Sequence, residues 1–322
     1  MTLRHIFCWK SLFYEALLPA ARRLGPACAD AILAGLGRSS LAWPPRRRAL
    51  FESLTRARGA LGAGWDPRDE RTGLAAAVPR FLARDYPLEG TTPDQLAERF
   101  EVQGFEHVEA ILARGRGVVL LGSHLGGHMA GLHWLYRREV PLRLLVQRPR
   151  HVSPTLQRRF DHADGPHPQP ALFLRRGLPP GAAAERLLRA RAALRDGMAV
   201  YLAGDIPWPG PNARPGLLLG ESHAFLSIWA DLAVLSRVPV IPMFCTHLPG
   251  GRYELTFDAP WTLAAGAESA AVARYLERLE AEVAAHPADA VAYLTWPCYG
   301  PEPHRSRRKP HLLQPETVGR RA

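Results

Sequence analysis

Lysine is almost missing from this chain: Lys10 and Lys309 are the only two in 322 residues. The other members of its 41 basic residues are arginines, set against 30 acidic residues for a formal charge of +11. Part of that bias fits a GC-rich genome. Its physical consequence is a surface that attracts anions, whether lipid headgroups, phosphates, nucleic acid or an acidic carrier protein. The arginine–aromatic pattern of an RNA-binding module and the ligand spacing of a zinc finger are both absent, so nucleic acid is not expected as a partner. Cysteine is scarce. Cys8, Cys28, Cys245 and Cys298 form no Cys-x-x-Cys pair. A chain this long needs no disulfide staples, so a reducing compartment is expected. No uninterrupted apolar run reaches the roughly 18 residues that a membrane span requires. The N-terminus shows no clear small-residue cleavage site, so no signal peptide is expected. Internal repeats are missing too.

What is present suits a globular protein. The hydrophobic share of 47% allows a sizeable core. Residues 1–40 mix Ile6, Phe7, Trp9, Phe13, Tyr14, Leu17 and Leu18 with Arg4, Lys10, Glu15, Arg22 and Arg23, and Pro19 is expected to limit the first helix. This reads either as an amphipathic segment in a membrane interface or as a helix packed on the domain surface. Residues 41–300 read as one α/β domain, and residues 301–322 as a basic, disordered tail.

Along that domain, Pro44 and Pro45 mark a turn beside Arg46-Arg47-Arg48. Helices are expected over 49–61 and 74–84, with Asp94 capping one that carries Leu96 and Phe100. A strand at Phe100–Val102 and a helix from His107 to Arg114 follow. Further strands are expected at 142–146, 172–174, 198–203, 239–244 and 253–257. Helices are expected at 153–160, 182–195, 225–236 and 269–285. Residues 161–170 and the Pro/Gly-rich 206–221 read as loops.

The stretch Gly117-Val118-Val119-Leu120-Leu121-Gly122-Ser123-His124-Leu125-Gly126-Gly127-His128-Met129 carries most of the information. Its apolar run suits a buried strand, Gly122 and Ser123 break it, and apolar residues recur at helical spacing from Leu125. His124 then stands at a strand-to-helix junction, where unpaired backbone N–H groups are expected to face developing negative charge. It is either a base or a helix cap. Gly126 and Gly127 either leave room for substrate or allow close helix packing. His124 and His128 have metal-ligand spacing, but the glutamate that metalloproteases place between such histidines is missing and no third ligand stands at recognisable spacing, so no metal is expected.

Polar residues recur at expected strand ends: His124, Arg148 and Arg150, Arg175 and Arg176, and Asp205. In a mainly parallel sheet they converge on one rim. The order of these pieces resembles the bacterial lipid A late acyltransferase family, over roughly residues 45–300. Phe105-Glu106-His107 through Gly126 resembles its glycine-turn, helix, strand and His-x-Gly block. Val146-Gln147-Arg148-Pro149 resembles its strand ending in Arg-Pro, and 197–205 its strand ending in aspartate. Leu219-Gly220, Leu232-Ala233 and 238–244 resemble its glycine, Leu-Ala helix and proline-containing strand.

The resemblance implies a mixed, mostly parallel sheet flanked by helices. It also implies acyl transfer, without a cofactor, from an acyl carrier protein or acyl-CoA to a hydroxyl or amine of a lipid or glycolipid. The place implied is peripheral, on the cytoplasmic face of a bacterial inner membrane with an anionic surface. His124 matches the family's histidine base. Arg148, Arg175 and Arg176 would hold anionic groups, with Gly126, Gly127 and His128 lining the substrate site. The family's carboxylate, which follows the histidine after four residues, is Met129 here. Three readings stay open: Asp205 or Glu221 supplies the orienting carboxylate; His124 works alone or with His128; or the chain binds acyl-lipid or carrier protein without catalysis.

Overall fold

The computed structural model describes residues 9–62, 64–146, 153, 180–208, 210, 212–296 and 299. Its spine is Val118–Gly122 (β2), buried at every position. On either side lie parallel partners, Ala199–Ala203 (β4) and Val240–Leu248 (β7). A strand covered on both faces needs no polar side, which is why β2 reads as an unbroken apolar run. Phe100–Gln103 (β1), Leu142–Leu144 (β3) and Arg252–Phe257 (β8) complete a sheet in the order β1-β8-β7-β2-β4-β3. Only the β7–β8 pair is antiparallel. The architecture is therefore the mixed, mostly parallel α/β sheet that the family resemblance implies.

Alternation along β2 builds two cores. Val119 and Leu121 join one with Trp229, Phe244 and Tyr275, while Val118 and Leu120 join the other with Met129, Leu132 and Trp134. The covering helices include His128–Arg137, Ile228–Ser236 and Glu268–Ala285. Truncating Leu120 or Leu121, both without exposed surface, would cost about 2–5 kcal/mol because a packed interior collapses only partly around a hole.

Several boundaries differ from expectation for identifiable reasons. Residues 206–221 are not all loop: Ala213–Leu218 (β5) pairs antiparallel with Glu221–Leu226 (β6). Leu219 and Gly220, with φ of 54° and 79°, make the left-handed two-residue turn that right-twisted strands favour. Pro215 and Gly216 disguised the first strand, and Phe225 belongs to the second, so the helix begins only at Ile228. Thr92, not Asp94, caps Pro93–Ala97 in a reciprocal capping box with Gln95, and Phe100 lies in β1. Pro44 opens the helix Pro44–Leu61 rather than a turn, since the first helical position needs no N–H. Pro19 does not end the coil: it is the second residue of Leu18–Arg23, which continues the coil of Leu12–Leu17.

The helices from Trp9 to Ser39 lie on Pro67–Ala83. Tyr14 donates to the Leu82 carbonyl at 2.8 Å, and Arg80 pairs with both carboxylate oxygens of Asp30. Tyr14, Leu18, Ala29 and Leu33 are buried there, while Trp9, Leu12, Leu24 and Trp43 stand exposed. Among the described residues no helix is long and apolar enough to cross a membrane. The helix expected from Ser153, the loop at 161–170, the strand at 172–174 and the tail from Gly300 lie outside the described residues, Ser153 itself apart.

Candidate active site

Strand register places the candidate pair. Gly122 of β2 lies opposite Ala203 of the neighbouring parallel β4. Leaving these positions in the same direction, the two chains carry His124 and Asp205 to the same point beyond the carboxyl edge of the sheet. In such sheets ligands bind at that edge. His124 Nδ1 lies 2.9 Å from Asp205 Oδ1, and the His124 backbone N–H donates to Asp205 Oδ2 at 2.7 Å. Tyr293 donates its hydroxyl to the same Oδ2 at 2.6 Å. A carboxylate against Nδ1 assigns that nitrogen the proton and leaves Nε2 with its lone pair.

Asp205 has no exposed surface, while His124 keeps about a quarter of its side chain, 24%, open. Burial by itself would push the Asp205 carboxyl up. The His124 ring, the Tyr293 hydroxyl and the His124 N–H more than offset that and hold it below the ordinary value. Tyr293 is held far above its ordinary range by burial and by Asp205, so it stays a donor. Glu221, the other carboxylate considered, opens β6 in the separate hairpin.

The backbone amides around His124 do not face open space as expected. Leu125 N–H donates to Ser123 Oγ, Gly126 N–H to the Asp289 carbonyl, Gly127 N–H to the Cys245 carbonyl and His128 N–H to the Leu125 carbonyl. The helix begins at His128, not at Leu125. The intervening turn spends its donors on the protein itself.

The two glycines face protein. A Cβ on Gly126, whose φ is +47°, would lie 2.7 Å from the Cys245 carbonyl oxygen and 2.9 Å from Asp289 Oδ2. One on Gly127 would lie 2.7 Å from the Tyr253 ring. Close packing of the turn against β7 and β8 accounts for both. His128 packs its ring 5.2 Å from that of His124 and 5.3 Å from Phe81. Burial, followed by the charges of His124 and Arg84, holds it neutral, well below the ordinary value. Its Nδ1 is buried and has no hydrogen-bond partner among the described residues. Met129 sits in the core, its sulfur 3.2 Å from an Arg84 nitrogen. Arg148, Arg150, Arg175 and Arg176 lie outside the described residues.

Four residues that sequence reasoning passed over complete the surroundings. Tyr293 is one, 88 positions from the aspartate it touches, with no local pattern to mark it. Trp296 lies 5.6 Å from the His124 ring, centroid to centroid. His247 and Asp289 form a second pair with the same two bonds as the first, N–H to Oδ2 at 2.7 Å and Nδ1 to Oδ1 at 2.9 Å. The strand was expected to end at Phe244. Continued apolar and β-branched residues through Leu248 were the available signal.

A family model described as bacterial lipid A biosynthesis acyltransferase matches residues 74–292, more than half of the chain. The match spans the six-stranded sheet and takes in His124, Asp205 and Asp289. Among curated proteins, none matches the chain.

Proposed function

Because the chain belongs to the bacterial lipid A biosynthesis acyltransferase family, we propose that it moves a fatty acyl group from a thioester of acyl carrier protein or coenzyme A to a hydroxyl or amine of a lipid or glycolipid. Acyltransferase activity toward lipid acceptors is what the family supports. The observation that carries the finer reading is the hydrogen-bonded pair of His124 and Asp205 at the carboxyl edge of the sheet.

In this reading His124 Nε2 takes the proton of the acceptor hydroxyl as its oxygen attacks the thioester carbonyl carbon. Asp205 holds the ring with Nδ1–H toward itself and stabilises the imidazolium that forms. The tetrahedral centre collapses, the C–S bond breaks, and the departing thiolate takes the proton from Nε2. The products are an ester and a free thiol; an amine acceptor would give an amide. No cofactor enters the balance. The missing motif carboxylate at Met129 is then replaced in its role by Asp205, reached across the sheet instead of along the helix.

Anionic groups of donor or acceptor are assigned to Arg148, Arg175 and Arg176. The exposed Trp9, Leu12, Leu24 and Trp43, with Lys10, Arg22 and Arg23 nearby in sequence, support contact with an anionic bilayer surface. The place proposed for it is the cytoplasmic face of the inner membrane.

The test is transfer of labelled acyl groups from carrier-protein and coenzyme A thioesters into a panel of bacterial lipid extracts, with wild type beside His124→Ala. Transfer lost in the variant is expected. Absence of transfer by wild type, with acyl-lipid or carrier protein still bound by both forms, would favour a binding protein.

A further inference from the structure

The segment from Pro287 to Trp296 touches the His124 turn at two points. Near its start, the Asp289 carbonyl accepts the Gly126 N–H at 3.1 Å. The Asp289 carboxylate is held by the backbone N–H and the ring of His247. One helical turn further on, Tyr293 donates to Asp205, and Trp296 then lies beside the His124 ring. Asp289 is only 7% exposed and His247 9% in their side chains. A carboxylate buried to that degree is costly unless its partners are well placed, so the pair is fixed in position and fixes what is bonded to it.

We propose that Pro287–Trp296 is a positioning clamp: Tyr293 sets how much negative charge Asp205 presents to His124, and Asp289, locked by His247, fixes the turn that carries His124. A hydroxyl hydrogen bond spreads charge on a carboxylate and weakens its pull on a neighbouring imidazolium. Removing the Tyr293 hydroxyl leaves Asp205 with only His124 to share that charge, and His124 should hold its proton more tightly. Among the described residues, the other titratable groups facing the pair are Tyr201 of β4, Tyr275 of Glu268–Ala285, and His128. Burial keeps the tyrosines protonated and His128 neutral. His124 is the group left to respond.

The kinetic arm of this proposal rests on the acyl-transfer reading; the titration arm does not. In the full chain, with histidine ring signals assigned through His124→Gln, Tyr293→Phe is expected to raise the His124 titration midpoint by about half to one pH unit. The acid limb of the kcat/KM profile should move by the same amount, with KM for the acyl donor unchanged. An unmoved midpoint in a variant of wild-type thermal stability would overturn the Tyr293 assignment.

For the turn, His247→Asn keeps an N–H where Nδ1 donates, whereas His247→Ala does not. Retained kcat in the first and loss on the order of tenfold in the second is expected. Equal losses in both would overturn the locking role, since both variants remove most of the ring. If the wild-type chain transfers no acyl group yet Tyr293→Phe shifts the midpoint, the function proposed above fails and the Tyr293 assignment stands. For the turn, the readout is then the His124 ring signal, expected to match wild type in His247→Asn and to broaden in His247→Ala; the same signal in both overturns it.

Discussion

Asp205 meets His124 twice, taking the backbone N–H at 2.7 Å on one oxygen and facing the ring Nδ1 at 2.9 Å on the other. The two contacts hold both ends of one residue against one carboxylate. The ring therefore cannot turn away without breaking a bond to a fully buried group. A carboxylate arriving from the next parallel strand can thus do the orienting task that the family motif gives to a residue on the following helix.

The first consequence concerns Met129. Its sulfur contacts Arg84, and the His124 ring already has its carboxylate. A glutamate at this position is expected to pair with Arg84. Met129→Glu should therefore leave the acyl-transfer rate within about threefold of wild type. A tenfold or greater gain would show that His124 lacks an orienting partner in the wild-type chain.

The second consequence concerns the turn. Gly126 combines a φ of +47° with a Cβ position that runs into Cys245 and Asp289. Gly126→Ala should cost about 1–3 kcal/mol of stability and reduce transfer. Gly35→Ala is the comparison, since a Cβ there meets nothing within 4 Å. In a helix that change should be neutral or stabilising by up to about 1 kcal/mol. Urea unfolding of the two variants beside wild type measures the contrast.

Much of this was legible in the sequence, and the rest was not for physical reasons. The apolar run of β2, the break after it, and Asp205 at the end of another apolar run are local patterns, and both partners of the pair were identifiable from them. That they meet depends on β4 lying beside β2, with β3, the intervening strand in the chain, placed outside it at the edge. Such order is a property of packing between distant segments. The same holds for Tyr293 and for the His247–Asp289 pair. Hairpin β5–β6 was hidden by residues whose usual reading is loop. The Gly126 and Gly127 amides of the His124 turn were expected free because their acceptors, Asp289 and Cys245, come from far along the chain.

His128 gives a pH dependence with a defined sign. The folded protein holds its ring neutral, well below the ordinary value of 6.5. Below that pH the unfolded chain gains a proton that the folded chain refuses, so stability falls as pH falls, by up to about 1.4 kcal/mol per unit. Unfolding free energies at pH 7.5 and 5.5 should show a loss about 1 kcal/mol larger in wild type than in His128→Phe. Equal losses would contradict the neutral, buried assignment.

The exposed aromatic and leucine side chains of the N-terminal helices give a further expectation. Trp9→Ser combined with Trp43→Ser should weaken binding to vesicles containing anionic lipid by on the order of tenfold. Soluble-phase folding should be preserved, because both side chains are more than half exposed. Vesicle sedimentation at two salt concentrations separates this apolar contribution from that of the arginines.

The most direct measurement is a double-mutant cycle on the acyl-transfer rate, with His124→Ala, Asp205→Asn and the two together. Asp205→Asn alone should lose on the order of 10³- to 10⁴-fold. If the two residues act as one unit, the double variant loses no more than His124→Ala alone. Losses that multiply would show that Asp205 acts independently of His124 and would contradict the pairing as the basis of catalysis.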